Sequence, residues 1–169
     1  MSEAVDQRFA PPQAHVADLA PGEMELAGRG TRLLAAIVDA LIGAALGWMV
    51  GSIPAVASLV ASQGPVGFGS FNYMSVLIGL PIFLIVQGGL LLKLGQTVGK
   101  IVFRLRIVRS DGSNADAWRL LGLRYGIGIL LGVNAMVAGI YGLIDALLIF
   151  RESRKCLHDS IADTKVIKV

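Results

Sequence analysis

The feature that most constrains this chain is the stretch of residues 40–92, which contains no Asp, Glu, Lys or Arg. One membrane-spanning helix needs about 20 apolar residues, so this stretch has room for two helices and the loop between them. A second apolar stretch, residues 125–150, is interrupted only by Asp145. Charged residues make up 16% of the chain, against about a quarter in soluble domains. The sequence therefore predicts an all-α multi-pass membrane protein.

The loop between the first two spans indicates their orientation. Residues 62–73 are rich in glycine and other turn formers and contain no Lys or Arg, so the positive-inside rule places them outside. The first span then covers about residues 29–52, and the second covers about residues 74–92. Pro81 lies inside the second span as a kink that neighbouring helices can accommodate. The two spans form a hairpin with both ends in the cytosol.

The second apolar stretch fits two spans better than one. As a single helix it would be about 39 Å long, whereas the hydrocarbon core of a bilayer is about 30 Å thick. Both of its flanks are basic and favour the cytosol. A hairpin over about residues 116–133 and 136–150, with a turn at Asn134 and Ala135, satisfies both flanks, so we prefer four spans in two hairpins over three. The flanking cations are Lys93, Lys100, Arg104, Arg106, Arg109, Arg119 and Arg124 before the stretch and Arg151, Arg154, Lys155, Lys165 and Lys168 after it.

The segments outside the spans indicate the compartment. Residues 1–28 are mainly acidic and are predicted to form a disordered cytosolic tail, followed by a membrane domain over residues 29–169. Residues 93–115 and 151–169 are predicted to be cytosolic, so both termini lie in the cytosol of a cell with a bacterial-type inner membrane. Because the cations flank apolar segments, membrane lipids are expected as partners, and nucleic acid is not.

Local patterns are visible in the two cytosolic segments. Residues 101–107 alternate apolar and basic, which predicts a strand-like segment on the membrane surface or, equally well, a short solvated hairpin. In the tail, the spacing of Leu157 and Ile161 predicts a short amphipathic helix, and residues 166–169 are strand-like. The cations of the first segment are predicted to face lipid phosphates; they are Arg104, Arg106 and Arg109.

Three charged residues from three predicted spans, Asp39, Arg124 and Asp145, are expected to lie at one depth beneath the cytosolic boundary. Asp39 lies two helical turns, about 10 Å, deeper than Arg32, and Asp145 lies about 9 Å from the same boundary. Arg124 and Asp145 are equally spaced about the predicted turn and would lie side by side. Because an isolated aspartate at the centre of a span costs about 2.5–3.5 kcal/mol, both aspartates are expected to have partners, with Arg124 nearest and Arg32 reaching inward.

This cluster has two interpretations. Its carboxylates could bind a cation or a proton, with arginine tuning their charge. Alternatively, the charges form a buried ion-pair network that fixes helix register and moves nothing. His158 and Asp159 in the tail could shuttle protons, although such pairs more often serve capping or hydrogen bonding. No metal site is predicted, because no second histidine lies nearby.

Small residues recur at intervals of four in two of the predicted spans. In lipid, where dispersion packing replaces the hydrophobic effect, such stripes let helix backbones approach closely. Four short spans can hardly enclose a pathway alone, so the stripes are predicted to join copies of the chain in a homo-oligomer. The alternative is the ordinary abundance of glycine in membrane helices. The stripes are Gly43, Gly47 and Gly51 in the first span and Ala138, Gly142 and Ala146 in the fourth.

No catalytic site can be assembled from the sequence. Residues 95–100 resemble a phosphate-binding loop, but they are one residue short between the glycines and are followed by Ile101 instead of Ser or Thr. No nucleophile and base are suitably arranged, so neither an enzyme nor a bound cofactor is expected. The single cysteine, Cys156, excludes an intrachain disulfide.

Three pieces of the sequence, taken in order, resemble the RDD family of membrane proteins. Residues 27–39 resemble its opening, in which Arg32 and Asp39 match the first two of the arginine and two aspartates that name the family. Residues 95–100 and 105–108 resemble its central segment. The closing motif is matched by Leu157, His158 and Asp159, followed by Ala162 and Thr164.

The resemblance implies a function but leaves the second aspartate open. Asp159 fits the closing motif and Asp145 competes with it, while Asp163 stands where the motif usually has glycine. Members of the family are suspected of transport, and some resemble monovalent cation–proton exchangers. The resemblance therefore implies a transporter or exchanger that uses the Asp/Arg cluster, with a monovalent cation or proton as its substrate. The alternative is a non-transporting scaffold or accessory subunit of a larger complex.

Overall fold

The computed structural model describes residues 24–64, 67 and 70–169, so the predicted tail lies almost wholly outside the described residues. The described chain is mostly helical and contains one small two-stranded sheet. Its elements in order are α1 (Arg29–Gly51), α2 (Pro54–Ala61), α3 (Tyr73–Phe83), a first π-helical segment (Leu84–Gly88), α4 (Gly89–Leu94), α5 (Val98–Val102), β1 (Leu105–Arg109), a second π-helical segment (Trp118–Gly126), α6 (Ile127–Leu131), α7 (Ala135–Leu148), α8 (Leu157–Ile161) and β2 (Thr164–Lys168).

Two helices in the described part of the chain are long and apolar enough to cross a membrane. One is α1, and the other is Val76–Leu94, which comprises most of α3, the first π-helical segment and α4. Few residues of either helix are buried within the molecule, whereas a core helix of a soluble protein would be mostly buried. Their apolar side chains therefore need an apolar surrounding phase, as the uncharged stretch predicts.

The second long helix contains Pro81, as predicted. Proline lacks an N–H group and crowds the carbonyl four residues earlier, so a regular α-helix is disturbed there. The helix then passes into π-helical geometry, and Gln87 and Gly88 in that segment are buried. Single π-helical turns are rare and often occur at functional sites. Here the turn carries the side-chain amide of Gln87 to α1, where it contacts Asp39.

The second apolar stretch is not one helix. α6 ends and α7 begins on either side of Asn134, at the predicted turn. The Oδ1 atom of Asn134 accepts hydrogen bonds from the N–H groups of Met136 and Val137, both at 3.1 Å, and so caps α7. With 14 residues, α7 is about 21 Å long, which is shorter than the roughly 30 Å of a hydrocarbon core.

Contacts at the two ends of α7 fix its direction relative to α1. At its start, the N–H of Asn72 donates to the carbonyl of Val133 at 2.7 Å, so the turn lies beside the loop that precedes α3. At its end, the guanidinium of Arg29 donates at 3.2–3.4 Å to three carbonyl oxygens, those of Ile149, Phe150 and Arg151. α7 therefore runs from the loop end of the molecule to the end where α1 begins, which we call the charged end.

The sheet pairs two segments that are distant in sequence, because β1 and β2 lie antiparallel. The strand predicted over residues 101–107 starts later than expected, since residues up to Val102 belong to α5, whose first turn is capped by Thr97. Of the hairpin that was the alternative prediction, the described residues contain only an isolated bridge between Val108 and Asn114. The strand-like tail finds its partner in β1 instead.

The buried core lies at the charged end, around the sheet, and not between the long helices. α8 forms where the amphipathic helix was predicted and packs between the second π-helical segment, α7 and β2. This arrangement gives the charged side chains a rigid frame. The core consists of Ala27, Ala35, Leu91, Leu105, Ile107, Leu120 and Val166.

Candidate functional site

Asp159 on α8 is the centre of a buried charge cluster. Arg32 on α1 and Arg124 in the second π-helical segment both form salt bridges with its carboxylate. Arg124 also donates to the hydroxyl of Thr164 at 2.6 Å, and the N–H of Cys156 donates to the Asp159 carboxylate at 3.1 Å. Burial raises the pKa of Asp159, but the two arginines lower it more, so it lies well below its ordinary value. Asp159 is therefore charged at neutral pH.

The local structure of α8 explains this position. Cys156 is the N-cap residue of the helix and Asp159 is its N3 residue, and the carboxylate returns to the N-cap N–H as in a capping box. One carboxylate oxygen thus serves the N-cap and Arg32, and the other serves Arg124. The side chain of Asp159 therefore caps α8 and also links α8 to α1 and to the second π-helical segment.

Asp145, near the end of α7, pairs with His158 on α8. The backbone N–H of His158 donates to Asp145 at 2.9 Å, and the Nδ1 atom lies 2.7 Å from both carboxylate oxygens. Burial lowers the pKa of His158 and the charge of Arg124 lowers it further, against the opposing effect of Asp145. His158 is therefore neutral at pH 7, and we assign its Nδ1 proton to the hydrogen bond with Asp145.

Asp39 lies apart from this cluster, in a cradle of neutral donors. Its Oδ1 atom accepts hydrogen bonds from the side-chain amide of Gln87 at 3.0 Å and from the N–H of Gly99 at 2.8 Å. Its Oδ2 atom accepts one from the hydroxyl of Thr97 at 2.5 Å. The ammonium group of Lys100 lies 4.0 Å from Oδ2. The carboxylate thus has several partners but no close bidentate cation among the described residues.

Gly99 is what allows this cradle to form. A Cβ atom at this position would lie 2.1 Å from the carbonyl oxygen of Ala35, so only glycine lets α5 approach α1 so closely. The approach places the N–H of Gly99 on the carboxylate one turn further along α1, that of Asp39. The residues around Gly99 therefore pack directly over α1 at Ala35 and Asp39.

A groove of about 480 Å³ extends from Asp39 between α1 and α3. Asp39 and Gln87 form one end of it, and Asn72 lies at the other. The first predicted small-residue stripe lines its α1 side, and a Cβ atom added at any of its three glycines would meet no atom within 4 Å. In the second stripe, Ala138 is half-buried, and Gly142 and Ala146 are exposed.

A second cavity of about 410 Å³ lies between α1 and α7 at the charged end. Its walls include apolar residues of both helices. Lys100 stands between this cavity and the cradle, because it lines the cavity while its ammonium group lies 4.0 Å from Asp39. The same ammonium group is 3.2 Å from the hydroxyl of Tyr125. The cavity is where most of the predicted charges meet; its polar lining includes Arg32, Lys100, Arg124, Asp145, Cys156 and His158.

The pairing of these charges differs from the prediction. Arg124 and Arg32 were expected to serve Asp39 and Asp145, but both pair with Asp159. The reason is that α8 folds back and inserts its carboxylate between the two guanidinium groups. Asp39 and Asp145 consequently have the separate partners described above.

Sequence reasoning missed the residues that complete both sites. Gln87 is an isolated amide in an apolar span, and an unpaired amide there is costly, which was an available signal. Thr97 and Lys100 lie in the segment that resembles a phosphate loop, and their role here is to contact Asp39. No signal indicated Cys156 or Tyr125, because both are brought in by tertiary contacts.

The three arginines predicted to face lipid phosphates lie on or beside β1. Arg106 donates to the side-chain carbonyl of Asn114 at 3.0 Å, and Arg109 forms a 3.5 Å salt bridge with Asp111. Arg104 precedes the strand in the left-handed region of backbone conformation, with φ at 54°. Lipid contact by these residues stays a prediction.

Comparison with known proteins places the chain in a family. No curated protein and no solved structure matches it. Its residues 26–163, most of its length, match the family model described as RDD family. The match spans the opening and central segments and the closing segment as far as Asp163, and it includes both Asp39 and Asp159. The chain therefore belongs to the RDD family.

Proposed function

We propose that this protein is an integral membrane transporter that exchanges a monovalent cation for protons at Asp39. The observation that carries the proposal is the position of this carboxylate, which is 19% exposed and forms one end of the groove between α1 and α3. A carboxylate within a membrane span is costly to retain, and such groups commonly mark ion or proton pathways. Asp159, in contrast, is fully buried between two arginines and has no room for an exchanged ion.

The cradle has the chemistry that such exchange requires. Alkali cations bind oxygen ligands, and the two carboxylate oxygens of Asp39 and the Thr97 hydroxyl supply three oxygen atoms close together. The side-chain carbonyl oxygen of Gln87 accepts the N–H of Val98 at 2.9 Å, which orients its amide group toward Asp39. A proton and a cation compete for the same carboxylate, so binding of one releases the other. When neither is bound, the ammonium group of Lys100 at 4.0 Å partly balances the negative charge.

The proposal includes a topology of four spans in a bacterial inner membrane with both termini in the cytosol. α1 and Val76–Leu94 form the first hairpin, and the second π-helical segment with α6 forms the second hairpin with α7. The open space beside the glycines of α1 supports a homo-oligomer, because a helix of a second copy can approach there and enclose a path to Asp39. The arginines around β1 would then lie near cytosolic lipid phosphates.

Proton flux in liposomes tests this function. Purified protein is reconstituted in vesicles that contain a pH-sensitive dye, and a gradient of Na⁺ or K⁺ is applied. We expect cation-dependent proton movement by the wild-type chain and a loss of about tenfold or more in Asp39→Asn, which retains the shape of the side chain but cannot exchange a proton. Asp116→Asn is the matched control, because that carboxylate is exposed and lies outside both sites.

Folded wild-type protein that moves no protons under either gradient would overturn the proposal. Equal flux from wild type and Asp39→Asn would overturn the assignment to this residue. Size-exclusion chromatography in detergent establishes that each variant is folded before its flux is compared.

A second candidate function is a non-transporting scaffold or accessory subunit. The observation that favours it is that Asp39 already accepts three hydrogen bonds, which is what a purely structural carboxylate would do. On this alternative, Asp39→Asn lowers the stability of the protein while flux is absent from wild type as well. Crosslinking in cells would then recover a different membrane protein from the basic segment around β1.

A further inference from the structure

Three side chains of different chemistry converge at the charged end, where α7 meets α8. They are Asp145, Cys156 and His158, and they contribute a carboxylate oxygen, a sulfur and a ring nitrogen that all lie within 4.8 Å of one another. The three residues also line the cavity between α1 and α7, so the group can be reached from one side. Transport at Asp39 uses none of these atoms.

We propose that Asp145, Cys156 and His158 form a binding site for a thiophilic divalent cation, with Zn²⁺ as the ion that fits best. Zinc sites combine thiolate, imidazole and carboxylate ligands and often leave a fourth position open to water. Here the cavity provides that fourth position. This inference does not depend on the transport function.

The observed distances are close to those that a zinc ion requires. With bond lengths of about 2.0–2.3 Å, two ligand atoms of tetrahedral zinc lie about 3.3–3.6 Å apart. The Nδ1 atom of His158 is 2.7 Å from the Asp145 carboxylate and would separate from it slightly as the metal enters. The sulfur of Cys156 lies within 4.8 Å of the other two ligand atoms and would move inward by about 1.3 Å at most on the same bond lengths. Rotation of these side chains can supply such shifts.

The groups around the three ligands are placed as second-shell partners. When Nδ1 binds the metal, the imidazole proton moves to Nε2, and the Oδ1 atom of Asp159 lies 3.8 Å from Nε2, ready to receive that N–H. A guanidinium nitrogen of Arg32 lies 3.5 Å from the sulfur of Cys156 and can donate to the thiolate. The thiol releases its proton to solvent on binding.

The charges at the site also balance for a divalent ion. The thiolate and the Asp145 carboxylate together supply two negative charges, which equal the charge of Zn²⁺. Arg32 and Arg124 are the nearest cations, and both pair with the single carboxylate of Asp159, which leaves one net positive charge beside the site. The arginines weaken the affinity for a bare cation but do not leave the ion uncompensated.

Cobalt substitution tests the site. The full chain is purified in detergent with its thiol reduced, stripped with a chelator and titrated anaerobically with Co²⁺. We expect one equivalent to bind with a thiolate-to-cobalt charge-transfer band and the visible bands of a tetrahedral ion, both abolished by added Zn²⁺. Zn²⁺ is also expected to raise the melting temperature of the wild-type chain.

The variants make the result specific. Cys156→Ser should lose the thiolate band while remaining folded, because serine is a preferred N-cap residue and Cys156 is the N-cap of α8. Asp145→Asn and His158→Gln should weaken Co²⁺ binding by about tenfold or more. Asp163→Asn removes an exposed carboxylate of the same tail and should bind as wild type does.

Three results would overturn the inference. The first is the absence of a thiolate band in folded wild-type protein at saturating Co²⁺. The second is the same band in Cys156→Ser, and the third is a loss of affinity in Asp163→Asn as large as that in Asp145→Asn. Either of the last two would mean that the ion binds elsewhere.

Discussion

At the scale of single residues, the burial and pairing of Asp159 indicate that this carboxylate matters for stability. Its carboxylate is fully buried and forms salt bridges with two guanidinium groups that are themselves almost fully buried, those of Arg32 and Arg124. Burying the three charges costs several kcal/mol for each ion, so their presence alone does not make the protein stable. Removing one of the three charges is destabilising, because the remaining buried charges are left uncompensated.

We therefore predict that Asp159→Asn destabilises the protein by about 3–5 kcal/mol. The amide can still accept a hydrogen bond, but it leaves Arg124 buried without a counter-charge. Thermal unfolding in detergent, followed by near-ultraviolet circular dichroism in the presence of a chelator, measures the effect. Asp163→Asn serves as the control, because its carboxylate is about half exposed and its salt bridge with Arg119 is a surface pair worth at most about 1 kcal/mol. Equal stabilities of the two variants would contradict this account.

At the scale of elements, the approach of α5 to α1 creates the Asp39 cradle. α5 has only five residues, too few to be stable alone, so its position depends on the N-cap at Thr97 and on packing against α1. Gly99 sits at the closest point, against the carbonyl of Ala35. A backbone oxygen inside a helix cannot move aside as a flexible side chain can.

We predict that Gly99→Ala separates α5 from α1 at a cost of about 3 kcal/mol, near the upper end for overpacking. Gly139→Ala in α7 is the matched control, because a Cβ there meets no atom within 4 Å and alanine favours the helix by up to about 1 kcal/mol. Thermal unfolding of both variants in detergent measures the difference. Should Gly99→Ala unfold at the wild-type temperature, the contact between α5 and α1 is not as close as the structure has it.

The elements differ in how far local sequence could predict them. α1 follows from an apolar run with few interruptions, and the break before α7 follows from the turn chemistry of Asn134. The strand predicted over residues 101–107 is only partly correct. Period-two alternation also fits the last turn of a short helix, and here α5, which is capped by Thr97, extends to Val102. The π-helical geometry around Gln87 is not indicated by the local sequence pattern; it follows Pro81 and accompanies the contact of Gln87 with Asp39 on α1.

At the scale of the whole molecule, the candidate sites depend on contacts between distant segments. Arg32 and Asp159 are 127 residues apart, and no periodicity connects residues at that separation. Depth arguments, in which helix rise fixes depth from spacing, placed Asp39, Arg124 and Asp145 at one level with Arg32 reaching inward, whereas in the structure Arg32, Arg124 and Asp145 line one cavity and Asp39 lies outside it. They could not determine which charges pair, because that depends on where the tail folds back. The compact charged end, with the sheet and α8, therefore supports long helices that are otherwise little buried.

The arrangement in two hairpins predicts which parts of the chain are accessible from each side of the membrane. In a background of Cys156→Ser, single cysteines are placed at the exposed positions Ser62, Ala135 and Ser153, and intact cells are treated with a membrane-impermeant maleimide. We expect Ser62→Cys and Ala135→Cys to be labelled from outside, because Asn72 and Val133 hold the two turns together, and Ser153→Cys only after permeabilisation. If residues 125–150 crossed only once, Ser153→Cys would be labelled in intact cells. That result would separate Arg29 from the end of α7 and exclude the hydrogen bonds between them.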